Sequence, residues 1–159
     1  MTTLKKPRAY LAAALLCVSS VMFAASAQES DSNLDIDVFR GQVVVVDFWA
    51  SWCVPCRRSF PWLNSMHEKY ADEGLVIVGV NVDKERAEAS GFLQEYPARF
   101  RIRYDPEGTL AEQYGVQGMP SSFVIGRDGE LKTKHLGFKV RKQQEYEAAI
   151  VAALEENAG

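Results

Sequence analysis

Cysteine is scarce in this 159-residue chain, with three in all, and histidine is scarcer still, with two. A structural zinc site needs about four ligands at short spacing. His67 and His135 stand far from each other and from the cysteines, so no metal ligand set can be read. An excess of positive charge is also missing: the formal charge is −3, which excludes the basic footprint of a nucleic-acid-binding surface. There is no internal repeat and no low-complexity linker. The length suits one domain and falls short of two. Apolar residues make up 47% and charged residues 25%, a globular balance that excludes a disordered chain.

Charge is absent from one stretch above all. After Lys5, Lys6 and Arg8, no charged residue occurs until Glu29. Between them, Tyr10 to Phe23 is dominated by Leu, Ala, Val and Met, and Ala25-Ser26-Ala27 supplies small residues. That order is the layout of a secretory signal peptide over residues 1–27, cleaved after Ala27. An uncleaved anchor is the alternative, because the uncharged run is nearly long enough to span a bilayer. Either way the rest of the chain is exported. Cys17 follows Leu15-Leu16, where a lipid-attachment cysteine would follow a small residue, so it reads as filler. Residues 28–37 (QESDSNLDID) are polar and acidic and read as a flexible lead-in to one domain over 38–157.

Without residues 1–27 the cysteines are Cys53 and Cys56 alone, and loss of the three basic residues takes the charge from −3 to −6. Exported proteins sit where disulfides persist. A structural disulfide gains most by closing a long loop, yet this pair closes almost none. The pair therefore reads as chemical.

Val43-Val44-Val45-Val46 is a β-branched run, the mark of a strand covered on both faces, and Asp47-Phe48-Trp49-Ala50 continues it to the cysteines. From Val54 to about Asp72, the apolar residues Phe60, Leu63, Met66 and Tyr70 recur at helical spacing, and Gly74 ends the pattern. Leu75 to Val82 is a second buried strand, so the β-α-β order implies a parallel pair. Lys84 to Tyr96 reads as a helix closed by Pro97, Phe100 to Tyr104 as a half-buried strand, and Leu110 to Tyr114 as a short helix. Ser121 to Ile125 and Glu130 to Leu136 flank Arg127-Asp128-Gly129, a hairpin signal. A last helix runs from about Lys139 to Glu155. The class is α/β, a mixed central sheet flanked by helices.

Cys53 falls at a strand-to-helix junction, with Cys56 one turn later. A helix N-terminus exposes free N–H groups and the positive end of its dipole, which favour a thiolate, and the thiolate is the nucleophile. Cys53 is thus the better nucleophile and Cys56 the shielded, resolving thiol. An inert disulfide and a copper(I) site on the same two thiolates are the alternatives. His67 is expected on an exposed helix face and His135 on a strand surface.

The block Val46-Asp47-Phe48-Trp49-Ala50-Ser51-Trp52-Cys53-Val54-Pro55-Cys56, with Pro61 after it, resembles the active-site block of the thioredoxin superfamily. Gly118-Met119-Pro120-Ser121-Ser122-Phe123 is similar to that family's second signature, which contains a cis-proline. The longer separation of Cys53 from Pro120, and the phrase Gly79-Val80-Asn81-Val82-Asp83, resemble the TlpA/ResA/DsbE-like branch. The resemblance covers about residues 38–156. It implies a thioredoxin-like fold with a TlpA-type insertion, around Lys84–Leu110, between the β-α-β half and the cis-Pro hairpin. It also implies a periplasmic or membrane-anchored enzyme that reduces disulfides in exported proteins, including apocytochromes c, with electrons from a transmembrane thiol donor. No cofactor is implied beyond the redox-active Cys53–Cys56 disulfide, no metal, and a monomer.

By the same resemblance Cys53 attacks, Cys56 resolves, and Pro120 in cis presents the Met119 backbone to an extended substrate segment. Packing in the core is the other reading of Met119. Trp49 and Trp52 are expected as partly exposed walls of the site, with Val54 and Pro55 among the substrate contacts, and Pro61 as a helix kink. Asp47 interrupts an apolar strand, where an unpaired carboxylate is costly and its pKa should rise. It is the candidate general base for Cys56, directly or through water; a carboxylate at a wet strand end is the alternative.

The pattern departs from relatives in two places. Val54 stands where several cytochrome-maturation reductases have Glu, and Ser59 where many of the branch have another Glu, which weakens a dedicated haem-pathway role. Val54-Pro55 also lacks the His that stabilises the reduced form of DsbA-type oxidants, so the direction leans to reduction. An oxidase or isomerase is the alternative within the same chemistry, and no appended dimerisation domain is read to support an isomerase.

Overall fold

The computed structural model describes Thr2 and residues 34–156. The expected signal segment 1–27 (Thr2 apart) with Cys17, the start of the lead-in at 28–33, and residue 157 lie outside the described residues. The elements are β1 (Val43–Trp49), α1 (Cys56–Tyr70), β2 (Leu75–Asn81), α2 (Arg86–Glu95), β3 (Arg101–Tyr104), α3 (Thr109–Gln113), β4 (Ser121–Ile125), β5 (Leu131–Leu136) and α4 (Gln143–Glu155). The five strands form one mixed sheet in the order β3-β2-β1-β4-β5.

β1 is the middle strand, parallel to β2 and antiparallel to β4. All seven of its residues are buried, which is why its sequence runs in valines without alternation. Alternate side chains still divide between two faces. Val43, Val45 and Trp49 join the core under α1, α2 and α4, whereas Val44, Val46 and Phe48 join a second core with Leu110 of α3. Asp47 therefore faces α1.

The lead-in begins the domain earlier than its polarity suggests. Leu34 and Phe39 are buried in the second core, and Ile36–Phe39 form a 3-10 turn in which the Asp35 side chain accepts from the Asp37 N–H at 3.0 Å. The second sheet face has one helix of five residues over it, so this segment supplies the remaining cover.

α1 begins at Cys56, two residues later than its periodicity suggests, and passes into a 3-10 turn over Ala71–Glu73. Gly74 then takes φ +95°, a left-handed conformation that glycine adopts without strain. Its carbonyl accepts from the Val43 N–H at 3.0 Å, at the start of β1. The hairpin turn reaches the same place: Arg127 donates to the carbonyls of Gly41 (2.7 Å) and Glu73 (2.9 Å). No described helix is long and apolar enough to cross a membrane.

Candidate active site

β1 ends at Trp49, and a tight turn delivers the cysteines to the start of α1. The Cys53 N–H donates to Ala50 O and the Cys56 N–H to Cys53 O, both at 3.1 Å. Cys53 and Cys56 form a disulfide with Cα atoms 5.3 Å apart. Pro55, at the helix N-cap, provides no side-chain cap. The Cys56 N–H is shared, reaching Cys53 Sγ at 3.2 Å as well as the Cys53 carbonyl. A first-turn helix N–H thus also reaches the Cys53 sulfur, and N–H groups at a helix start favour a thiolate. Both cysteines are buried, Cys53 at 3% exposure and Cys56 at 0%. Trp52 and Val54 project on either side of Cys53, at 66% and 58% exposure, and Pro55 is half-buried.

The turn is braced from below. Asp83 is buried, and its carboxylate accepts from the Ser51 N–H (2.9 Å to one oxygen, 3.2 Å to the other), from Ser51 Oγ (3.0 Å) and from the Asn81 amide (2.7 Å). The Asp83 N–H donates back to Asn81 Oδ1 at 3.2 Å. A carboxylate satisfied this fully holds the backbone that aims Cys53. The sequence offered Asn81 and Asp83 as family phrasing, with no signal that both carry the loop.

The Met119–Pro120 peptide bond is cis. Ser121, next in line, pairs with Phe48 across β4 and β1. Pro120 therefore lies at the sheet end from which β1 leaves for the cysteines. Pro120 is buried and Met119 half-buried, with its side chain against both cores.

Trp49 departs from expectation. It is wholly buried, packed edge-on to Phe60 (ring centroids 4.9 Å) and against Phe92 (4.8 Å), rather than walling the site. Strand alternation, not nearness to Cys53 in sequence, decides where it points. The histidines differ too. His67 and His135 are half-buried, and each has one shielded ring nitrogen without a protein partner.

Asp47 is wholly buried on β1, between Gly79 of β2 and Ser122 of β4. Ser122 Oγ donates to its Oδ1 at 2.5 Å, and Oδ2 has no protein partner. Burial pushes its pKa up to about 7, the Ser122 hydrogen bond opposing this in part. The wet-strand-end alternative does not fit such burial. Asp47 lines a narrow cavity of about 10 Å³ with Ser59, Leu63, Ser122, His135 and Tyr146 among its walls. That is near the lower limit for one water molecule. Among the described residues, no three His, Cys, Asp or Glu side chains are grouped to hold a metal ion.

A sheet in this order, with a disulfide at the first turn of α1 and a cis-proline at the same end of the sheet, invites comparison with known proteins. The Redoxin family model matches residues 19–150. The chain belongs to the Redoxin family. Among curated proteins this redoxin is similar to the thiol-disulfide oxidoreductase ResA of Bacillus thuringiensis subsp. konkukian, 30% identical over 113 residues, or 71% of this chain and 65% of that one. It thus spans just under two thirds of that relative's length. Among solved structures it resembles a candidate thiol:disulfide interchange protein DsbE from Chlorobium tepidum (TM-score 0.74, 45% identity, 76% of this chain and 86% of that one). StoA from Bacillus subtilis is another match (TM-score 0.58, 25% identity, 67% of this chain and 82% of that one). The fold of this redoxin is thioredoxin-like.

Proposed function

We propose that this redoxin is a thiol–disulfide oxidoreductase that reduces disulfides in exported proteins through Cys53 and Cys56. The observation that carries the reading is the Cys56 N–H aimed at Cys53 Sγ at the uncapped start of α1. In the reduced chain, the Cys53 thiolate attacks a substrate disulfide, forming a mixed disulfide and releasing one substrate thiolate. Cys56 then loses its proton to Asp47 and attacks Cys53 Sγ. The Cys53–Cys56 bond forms, the second substrate thiolate leaves, and the two thiolates take protons from solvent. Two electrons pass from the dithiol to the substrate.

Met119, presented by the cis bond to Pro120, supplies the backbone on which an extended substrate segment lies. Trp52, Val54 and Pro55 form the apolar rim it meets; the exposure of Trp52 and Val54 supports this. Residues 1–27 act as an export signal or an anchor, which puts the domain in the periplasm, where a transmembrane thiol donor returns it to the dithiol form. The names of similar proteins, a thiol-disulfide oxidoreductase and a thiol:disulfide interchange protein, support the exchange chemistry. Val54 and Pro55 between the cysteines leave the reduced form without a stabilising His, in keeping with a reductase.

The test is a trap. Cys56→Ser expressed with its own export segment should accumulate mixed disulfides through Cys53 with exported proteins, identifiable by mass spectrometry. Cys53→Ser should accumulate none. Equal adducts on both variants would remove the assigned roles.

A further inference from the structure

The mechanism leaves a proton on Asp47, and Asp47 is sealed. It has no exposed surface, so turnover requires a route from its carboxyl to solvent. Three strands place a row of polar side chains across the sheet. Asp47 on β1 is paired with Ser122 on β4, and Ser122 with His135 on β5. Directly paired residues of antiparallel strands share a face, so all three point toward α1 and α4. They line the same cavity of about 10 Å³, close to the space that one water needs. Two unpartnered polar atoms are buried in this row: Asp47 Oδ2 and His135 Nε2. The His135 residue itself is half-buried, so part of it reaches solvent while Nε2 is enclosed.

We propose that His135 is a proton-relay residue acting through Asp47, passing the proton taken from Cys56 out to solvent across the Ser122 side of the cavity. This rests on the disulfide-exchange reading above. Asp47 accepts the Cys56 proton and becomes a neutral carboxyl group. That proton crosses by one bridging water, or through the Ser122 hydroxyl, to neutral His135. The resulting imidazolium releases it to solvent, and Asp47 returns to carboxylate. No oxidant or reductant enters this step, and each proton has a named origin and destination.

Other groups around the row fit this assignment. Toward Asp47 the neighbours are Ser122, Ser59 and Tyr146, which bring hydroxyl groups alone. Tyr146 of α4 packs on the His135 ring with centroids 4.8 Å apart, and its hydroxyl accepts from the Lys139 N–H at 3.3 Å. Glu145 and Lys142 exert opposed effects on the ring and pair with each other at 2.8 Å. Burial lowers the His135 pKa below its ordinary 6.5, while Asp47 sits at about 7. Burial thus disfavours the imidazolium, so a proton that reaches His135 is released readily to solvent.

The test uses the reduced chain and glutathione disulfide as probe, following oxidation of the Cys53–Cys56 pair between pH 6 and 8 in dilute and concentrated imidazole buffer. The wild-type reaction comes first: if the chain does not exchange with glutathione disulfide, the disulfide-exchange reading fails, and the relay with it. If it does exchange, His135→Gln is expected to slow the resolving step about tenfold in dilute buffer, within the range of a lost proton-transfer partner. Concentrated imidazole should restore most of that rate, and His135→Gln should add nothing in an Asp47→Asn background. A His135→Gln rate equal to wild type, or slowed equally at both buffer concentrations, would overturn the relay while leaving disulfide exchange intact. If His135→Gln does not fold, the wild type still decides: the His135 ring resonances should report a second inflection near the Asp47 titration. A single inflection would overturn the relay.

Discussion

A carboxyl group wholly enclosed on β1, with one serine hydroxyl as its protein partner, opposes folding whenever it is ionised. The Asp47 pKa rises from 3.8 to about 7 on burial. In that window the folded chain keeps a proton that the unfolded chain has lost, so stability falls as pH rises through it. The penalty is absent below about pH 4 and complete above about pH 7, where the gap corresponds to about 4 kcal/mol. Asp47→Asn should therefore gain about 2–4 kcal/mol in denaturant unfolding at pH 8 and under about 1 kcal/mol at pH 4.5. An equal gain at both would contradict the assignment. The same variant should slow disulfide exchange and flatten its pH profile between pH 6 and 8, by up to about 10²-fold at the rate plateau. An unchanged profile would remove Asp47 as the base. The sequence shows Asp47 readily, because a carboxylate interrupts a valine strand. Its partner Ser122, and His135 in the same cavity lining, are not visible there: they come into one row through the β1–β4 and β4–β5 registers, which depend on tertiary packing.

At the scale of elements, the site is the junction of β1 with α1, braced by the end of β2. Asp83→Ala would leave the Ser51 N–H and Asn81 side chain without their acceptor. A loss of about 2–3 kcal/mol is expected, because hydrogen bonds to a charged group are the stronger ones. Thermal unfolding would measure it, together with faster hydrogen exchange of the Ser51 amide; unchanged exchange would mean that the brace is not holding the turn. Gly79 is as sensitive for another reason. An added Cβ would lie 3.0 Å from the Phe100 ring and 3.1 Å from both Ile102 and Trp49, so Gly79→Ala should cost about 1–3 kcal/mol by overpacking. Strand and helix positions were largely legible from periodicity, β4 to the residue. Trp49 was not, because its nearness to Cys53 in sequence suggested the site while the pleat of β1 turned it into the aromatic cluster of Phe60 and Phe92. The start of α1 was also obscured, since Val54 and Pro55 continue the helical spacing but stand before its first turn.

Across the whole molecule, one sheet separates two cores, and the disulfide sits just beyond the end of the central strand, in the core on the α1 side. The order of elements and the CxxC and cis-proline blocks made this architecture legible. The part played by Leu34 and Phe39 was not, because their polar surroundings hid a cover for the second sheet face. The central claim is that Cys53–Cys56 is a reversible, reducing couple, and equilibration against graded glutathione and dithiothreitol couples tests it most directly. Each mixture is quenched with a thiol-alkylating reagent, and the labelled cysteines are counted by mass. One two-electron transition, with both labels appearing together and a potential below about −200 mV, is the expected result. A potential near about −120 mV, as for a strong oxidant, would contradict the reductase reading, and the absence of a transition would contradict disulfide exchange itself.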